Sequence, residues 1–109
     1  MNNREFKWSA NEKKIARTAF DTAFRTEMTY LKFELVNMVS EDMSNKEVWK
    51  LEDFLSEKRE EIDFKYDYRY SQLIRVFGNL VGEGILSLKD LDGLSDEKIE
   101  AIKIFSGVQ

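Results

Sequence analysis

The sequence predicts an all-α protein, and three observations support that class. The chain of 109 residues contains no Pro, and its five Gly residues all lie from Gly78 onward, so nothing earlier must break a helix. Two Ser residues are each followed three positions later by Glu, which is the pattern of a helix capping box. No segment alternates apolar and polar residues long enough to predict a β-strand.

A first helix is predicted from about Asn11 to about Val39. Ser9 supplies a hydroxyl at the N-cap and Glu12 a carboxylate three residues later, where the first free N–H groups need acceptors. Apolar residues then recur in steps of one, three and four. Such a helix is about 44 Å long, whereas a compact domain of this size has a radius of gyration of about 13 Å. One end of the helix must therefore extend beyond the rest of the fold.

A second helix is predicted from Asn45 to about Tyr66, because Ser44 and Glu47 form another capping box before it. Its apolar stripe consists of Val48, Leu51, Phe54, Leu55 and Ile62. A third helix is predicted from about Tyr68 to the Gly82-Glu-Gly84 break, where glycine can adopt the left-handed cap conformation. The sequence leaves open whether helices two and three form one continuous rod.

Shorter elements are predicted near the C-terminus. Ser87 and Asp90 cap a short turn ended by Gly93, and Ser95 opens a last helix that runs to Gly107. We therefore expect a single helical domain over residues 1–109, with a body of long antiparallel helices at about 1–77 and a small helical head at about 78–109.

The C-terminal half of the first helix has two apolar faces. One face consists of Met28, Leu31, Leu35, Met38 and Val39. The opposite face carries Tyr30, Phe33 and Val36, separated from the first by polar residues. One face can meet helix two, and the other needs cover either from the head or, as we favour, from a second copy of the chain. We therefore expect a homodimer with Tyr30, Phe33, Val36 and Trp49 in its interface.

Trp49 lies on the charged face of helix two, opposite the apolar stripe. Leaving an indole in water forgoes burial worth roughly 2–3 kcal/mol, and Trp is enriched at interface hot spots. Periodicity alone assigns Trp49 equally to a partner site and to the dimer interface. A site at the seam of the dimer would satisfy both assignments.

Composition excludes several function classes. The chain has no His and no Cys, which excludes a Ser-His-Asp triad, a Cys nucleophile, Cys-ligated zinc and disulfides. A formal net charge of −4 argues against nucleic acid and anionic membrane surfaces as partners. The Met1–Arg4 start has no apolar stretch of signal-peptide type, and no apolar run approaches ~20 residues. We therefore expect a cytoplasmic protein without membrane insertion.

The charged end of helix two allows two further hypotheses. Its acidic cluster consists of Glu57, Glu60, Glu61 and Asp63. A metal site or a small carboxylate enzyme is disfavoured because basic residues are interleaved, Glu61 is spaced to pair with Lys65, and nothing builds a pocket. The run Tyr66–Tyr70 alternates aromatic and charged residues, a pattern that can stack nucleic-acid bases. The negative net charge instead favours a location of these side chains in the core and at the rim of an interface. We expect no catalytic residue, no metal and no cofactor.

The stretch Val48–Asp67, Val-Trp-Lys-Leu-Glu-Asp-Phe-Leu-Ser-Glu-Lys-Arg-Glu-Glu-Ile-Asp-Phe-Lys-Tyr-Asp, resembles the signature region of the cyanobacterial fluorescence recovery protein family. The Trp8-Ser9-x-x-Glu12 start and the Gly82-Glu-Gly84 break extend the resemblance over nearly the whole chain. The resemblance implies an all-α, dimeric regulator without enzymatic activity. Such a regulator binds the photoactivated orange carotenoid protein and speeds its return to the resting orange form.

The resemblance also implies functional residues. Trp49, Asp53 and Arg59 match the family's functionally important Trp, Asp and Arg, whereas Glu52 replaces a typical His and Arg75 stands where an apolar aromatic is expected. We therefore assign to the partner-binding surface Trp49, Glu52, Asp53, Arg59, Arg75 and Phe105. The two departures predict weak or absent acceleration of orange carotenoid protein recovery. The alternative is a family relative that binds a different, signalling partner in an organism without that protein.

Overall fold

The computed structural model describes residues 6–107, which form four α-helices and one short 3-10 helix and contain no β-strand. The elements in chain order are α1 (Ala10–Met38), α2 (Asn45–Lys65), α3 (Leu73–Gly82), the 3-10 helix (Leu88–Leu91) and α4 (Asp96–Ser106). The predicted all-α class is therefore confirmed. The start Met1–Arg4, considered above for a leader, lies outside the described residues.

Both predicted capping boxes form. The backbone N–H of Glu12 donates to Ser9 Oγ at 3.1 Å, and the Ser9 N–H donates to Glu12 Oε1 at 3.0 Å. The same pair of bonds joins Ser44 and Glu47, at 3.1 and 2.9 Å. Because each box satisfies free N–H groups at a helix start, α1 and α2 begin within one residue of their predicted positions.

The predicted start of the third helix was wrong, since α3 begins at Leu73 and not near Tyr68. Residues 66–72 between α2 and α3 are not helical and end in a turn, so the two helices are not one rod. Tyr66 and Tyr68 both pack edge-on against Phe20, with ring centroids 5.4 and 4.8 Å away. Residues two apart point to the same side in an extended chain but to nearly opposite sides of a helix. Contact of both rings with Phe20 therefore disfavours a continuous helix through Tyr66 and Tyr68.

The hydrophobic core lies between the N-terminal half of α1 and a C-terminal unit made of α3, the 3-10 helix and α4. Its completely buried members are Ala16, Ala23, Leu73, Val76, Phe77, Leu80, Leu91 and Ile102. Gly78 and Gly82 let α3 and α4 approach closely: a Cβ on Gly78 would collide with Phe105 Cβ, and one on Gly82 would lie 2.8 Å from the Ser106 carbonyl oxygen. The division into a body and a head at about residue 78 stays a prediction.

The two long helices extend away from this core, as the length of α1 predicts. The molecule measures 53 × 28 × 27 Å, and its radius of gyration is 17.1 Å. Of the two apolar faces of α1, the first includes buried Leu31, whereas Tyr30, Phe33 and Val36 on the other are 66, 70 and 75% exposed. The C-terminal unit therefore does not fold back over this second face. In α2 the apolar stripe is buried only at Ile62.

Candidate functional site: two exposed surfaces

The first group of predicted partner-binding residues lies on one exposed face of α2. Trp49 is 66% exposed, and Glu52 and Asp53 follow it by three and four residues, which places all three on one face. The Glu52 carboxylate accepts a hydrogen bond from Ser56 Oγ at 3.1 Å. We call Trp49, Glu52 and Asp53 the α2 surface. It combines a large uncovered indole with negative charge and lies on a convex helix.

Arg59 lies further along α2 and is also exposed. Its Nε is 3.9 Å from Asp63 Oδ2, and its side chain is 85% exposed, so this ion pair is loose. Asp53 lies six residues earlier, which on a helix is about 9 Å along the axis and about 120° around it. Arg59 and Asp53 therefore do not face each other within one chain. The guanidinium remains available to a carboxylate on another molecule.

The second group of predicted partner-binding residues lies on the C-terminal unit. Arg75 is half-buried, its Nε donates to Gln72 Oε1 at 3.0 Å, and its guanidinium carbon lies 5.0 Å from the centroid of the Phe64 ring. Its Nη1 is buried without a hydrogen-bond partner among the described residues. Phe105 is 56% exposed and packs against Gly78, one turn after Arg75. We call Arg75 and Phe105, with Phe64, the C-terminal surface.

The structure thus divides the predicted partner site into two parts. Trp49 precedes Phe64 by 15 residues on α2, which corresponds to about 22 Å along the helix axis. A partner that contacts both the α2 surface and the C-terminal surface must therefore span this distance, or two molecules must occupy them separately.

The acidic end of α2 shows a different pairing from the one the sequence predicts. Glu61 lies 3.6 Å from Lys58, whereas Lys65 binds Glu27 of α1, so the predicted Glu61–Lys65 pair was wrong. Lys65 lies on the side of α2 that faces α1, where it meets a carboxylate shielded from water. Within residues 6–107, no three acidic side chains converge as metal ligands would.

The described helices, within residues 6–107, differ from membrane-spanning helices. None of them combines the length with the apolar character needed to cross a bilayer.

Comparison with known proteins identifies the family. The family model described as the photoprotection regulator fluorescence recovery protein matches residues 8–106. The chain belongs to the fluorescence recovery protein family. The curated fluorescence recovery protein of Synechocystis sp. (strain ATCC 27184 / PCC 6803 / Kazusa) is 38% identical over 99 residues, which cover 91% of each chain.

Solved structures of fluorescence recovery proteins share the fold over nearly the whole chain. The protein from Fremyella diplosiphon superposes with a TM-score of 0.87 at 37% identity, covering 94% of this chain and 100% of the other. The protein from Synechocystis sp. PCC 6803 superposes with the same TM-score and coverage at 36% identity. The family and the all-α class are therefore established on sequence and on structure.

Sequence reasoning missed a polar cluster in this family member that joins three elements. Lys65 Nζ donates to both carboxylate oxygens of Glu27 at 2.9 and 3.0 Å and to Glu83 at 2.8 Å, and Tyr66 OH donates to Glu27 at 2.7 Å. Burial alone would lower the pKa of Lys65, but the hydrogen bonds to Glu83 and Glu27 outweigh it and raise that pKa. Burial and the bond to Glu27 both raise the pKa of Tyr66. We call Glu27, Lys65, Tyr66 and Glu83 the polar clasp.

Sequence reasoning also missed a buried ion pair. Lys98, 4% exposed, donates to Glu12 at 3.1 and 3.2 Å and to the Lys7 carbonyl at 2.6 Å, and it lies 5.0 Å from the Trp8 ring centroid. Burial alone would raise the pKa of Glu12, but hydrogen bonds from the backbone of Ser9 and Ser95 and from Lys98 lower it to about 2. The sequence shows Glu12 only as a capping residue, because its partner lies 86 residues away.

Proposed function

We propose that this protein is a non-enzymatic regulator that binds the photoactivated orange carotenoid protein and accelerates its return to the resting form. Membership of a photoprotection regulator family over residues 8–106 carries this proposal. The placement of the predicted partner residues supports it, because Trp49, Asp53 and Arg59 lie on an exposed helix surface. Such a surface suits recognition of a protein, whereas small-molecule sites are concave.

A regulator of this kind acts through differential affinity. It can accelerate the return to the resting form only by binding the conformations on the way to that form more tightly than the activated form. A tenfold difference between the two affinities requires about 1.4 kcal/mol. One well-buried indole contributes more than this amount. Burial of Trp49 against one conformation of the partner is therefore sufficient in magnitude.

We further propose that the protein acts as a homodimer. Tyr30, Phe33 and Val36 form an uncovered face on α1, and Val48 and Trp49 are 44 and 66% exposed on α2. Burying each such side chain is worth roughly 1.5–3 kcal/mol. A second copy would cover Tyr30, Phe33, Val36 and Val48 in one symmetric contact. Trp49 would then lie at the seam of the dimer, where the partner protein can still reach it.

The alternative candidate is a regulator of the same family that binds a different signalling partner. The half-buried Arg75 favours it, because it places a guanidinium where the resemblance leads us to expect an apolar aromatic contact. A carboxylate on the partner would pair with this charge, whereas a purely apolar contact would bury it unpaired. Glu52 adds negative charge beside Asp53 on the α2 surface.

A light-to-dark recovery assay separates the two candidates. Photoactivated orange carotenoid protein is returned to darkness with and without this protein, and the rate of return is measured. We expect weak acceleration by the wild type and stronger acceleration by Arg75→Phe, with Lys89→Phe as the control on the exposed side of the C-terminal unit. If neither the wild type nor Arg75→Phe accelerates recovery, the proposal is wrong and the different-partner candidate is favoured.

A further inference from the structure

The attachment of α2 to the rest of the chain depends on few apolar contacts. Ile62 is the one buried side chain within Asn45–Lys65, and the hydrophobic core includes no residue of this helix. Val48 and Leu55 of the apolar stripe are 44 and 37% exposed. Packing alone therefore constrains the direction of α2 weakly within one chain.

The polar clasp is positioned to supply the missing constraint. Lys65 is the last residue of α2, Glu27 belongs to α1, and Glu83 follows α3 directly. The side chains of Lys65 and Glu27 are only 11 and 16% exposed, so their ion pair is shielded from water and salt. Tyr66 adds a hydrogen bond to Glu27 and packs edge-on against Phe24 at 5.3 Å.

We infer that Lys65 is a positioning residue that fixes the direction of α2 relative to the C-terminal unit. Trp49, Glu52 and Asp53 of the α2 surface belong to α2, whereas Arg75 and Phe105 of the C-terminal surface belong to α3 and α4. The clasp joins the end of α2 to the end of α3 and therefore determines how the two surfaces are presented together. Each of its bonds crosses between elements, whereas the other lysine with a pair on α2, Lys58, binds within its own helix. This inference rests on the proposed function only where it concerns activity.

The geometric part is tested by distance measurement in the full chain. The sequence has no Cys, so Glu57→Cys on α2 and Lys89→Cys on the 3-10 helix, both exposed, introduce the only two thiols for spin labels. Doubly labelled chain is diluted with unlabelled chain so that distances within one protomer dominate. We expect a narrow distribution of the distance between the two spin labels in the Glu57→Cys, Lys89→Cys chain. Adding Lys65→Met to this chain should widen the distribution at least twofold. The control Lys58→Met, on the same helix, should leave it narrow.

A second variant distinguishes loss of the clasp from misfolding of the chain. Glu83→Gln removes one ion pair at a half-exposed position and leaves Lys65 bound to Glu27, so it should fold and widen the distribution to an intermediate extent. Far-ultraviolet circular dichroism checks that helicity is retained. An unchanged distribution in both Lys65→Met and Glu83→Gln overturns the inference, whether or not the wild type accelerates recovery of any partner.

Activity supplies the readout that a purely structural role would not change. With a wild type that accelerates recovery, we expect Lys65→Met to reduce the acceleration about tenfold and Lys58→Met to leave it within twofold. Full activity of Lys65→Met despite a widened distribution would overturn the positioning role. A wild type without activity would contradict the proposed function, and the distance distributions would still decide the geometric inference.

Discussion

Replacing Lys98 by Met tests whether the buried ion pair holds the first turn of α1 against the start of α4. Met has nearly the length of Lys and fills the space beneath Trp8, so the change removes charge and hydrogen bonds more than volume. It deletes the contacts from Lys98 Nζ to Glu12 and to the Lys7 carbonyl. Glu12 then keeps only its bonds from the Ser9 and Ser95 N–H groups.

The expected cost follows from burial. Lys98 is 4% exposed and Glu12 is 8% exposed, and removing one partner of a buried pair costs about 3–5 kcal/mol. The two remaining N–H donors keep the carboxylate partly satisfied, so we expect the low end, about 3 kcal/mol. For a domain of this size that lowers Tm by about 12 °C.

The measurement is thermal unfolding followed by circular dichroism at one fixed protein concentration, because association would otherwise shift Tm. Lys103→Met is the matched control, since Lys103 lies on the same helix and its one ion pair within residues 6–107 is the i, i+3 pair with Glu100 at 3.3 Å. Adding Glu12→Gln to Lys98→Met removes the isolated charge and should recover about half of the loss. A Tm for Lys98→Met equal to that of the control would refute the reasoning.

Four further predictions concern acid stability, assembly and partner binding. The stability that Glu12 contributes is fully present above its usual pKa of 4.5 and is lost as the pH falls toward about 2. Glu12→Gln should therefore reduce the difference between the free energies of unfolding at pH 7 and pH 3, measured by urea titration. An unchanged difference would contradict this. Phe33→Glu should dissociate the proposed homodimer, because an unpaired charge in an interface costs several kcal/mol. Light scattering measures the mass of the particle, and a wild type that is monomeric at micromolar concentration would contradict this prediction. Arg59→Lys should weaken partner binding while leaving helicity and oligomeric state nearly unchanged, because Lys cannot hold a forked contact with a carboxylate; equal loss of dimer and activity would assign Arg59 to assembly instead. Arg75→Phe should increase recovery acceleration more than Glu52→His, since a Phe-sized contact is worth roughly 1.5–3 kcal/mol, and full acceleration by the wild type would refute this ranking.

The helical class and most helix ends could be predicted because their causes are local. Ser9 and Ser44 lie next to the N–H groups that they cap, and Gly107 ends α4 in the left-handed conformation at φ 74°. The uncovered face of α1 was also predictable, because Phe33 and Val36 lie opposite Leu31 on any regular helix.

The start of α3 was not predictable in this way. Helix propensity does not disfavour Tyr66–Tyr70 strongly, and only the packing of Tyr66 and Tyr68 on Phe20 shows why the segment is not helical. The partner of Lys65 was mispredicted for a related reason. Spacing along α2 indicated Glu61, whereas a more buried carboxylate, Glu27, came close through the fold.

The sequence by itself determined the family, the all-α class and the starts of the first two helices. Those properties depend on residue identity and on contacts within a few positions. Only the tertiary structure decided that Trp49 and Arg75 lie on separate surfaces, that Lys98 is buried with Glu12, and that Lys65 joins three elements. The ion pairs Lys65–Glu27 and Lys98–Glu12 join residues that are 38 and 86 positions apart. Their energies depend on burial and distance, which no local sequence pattern encodes.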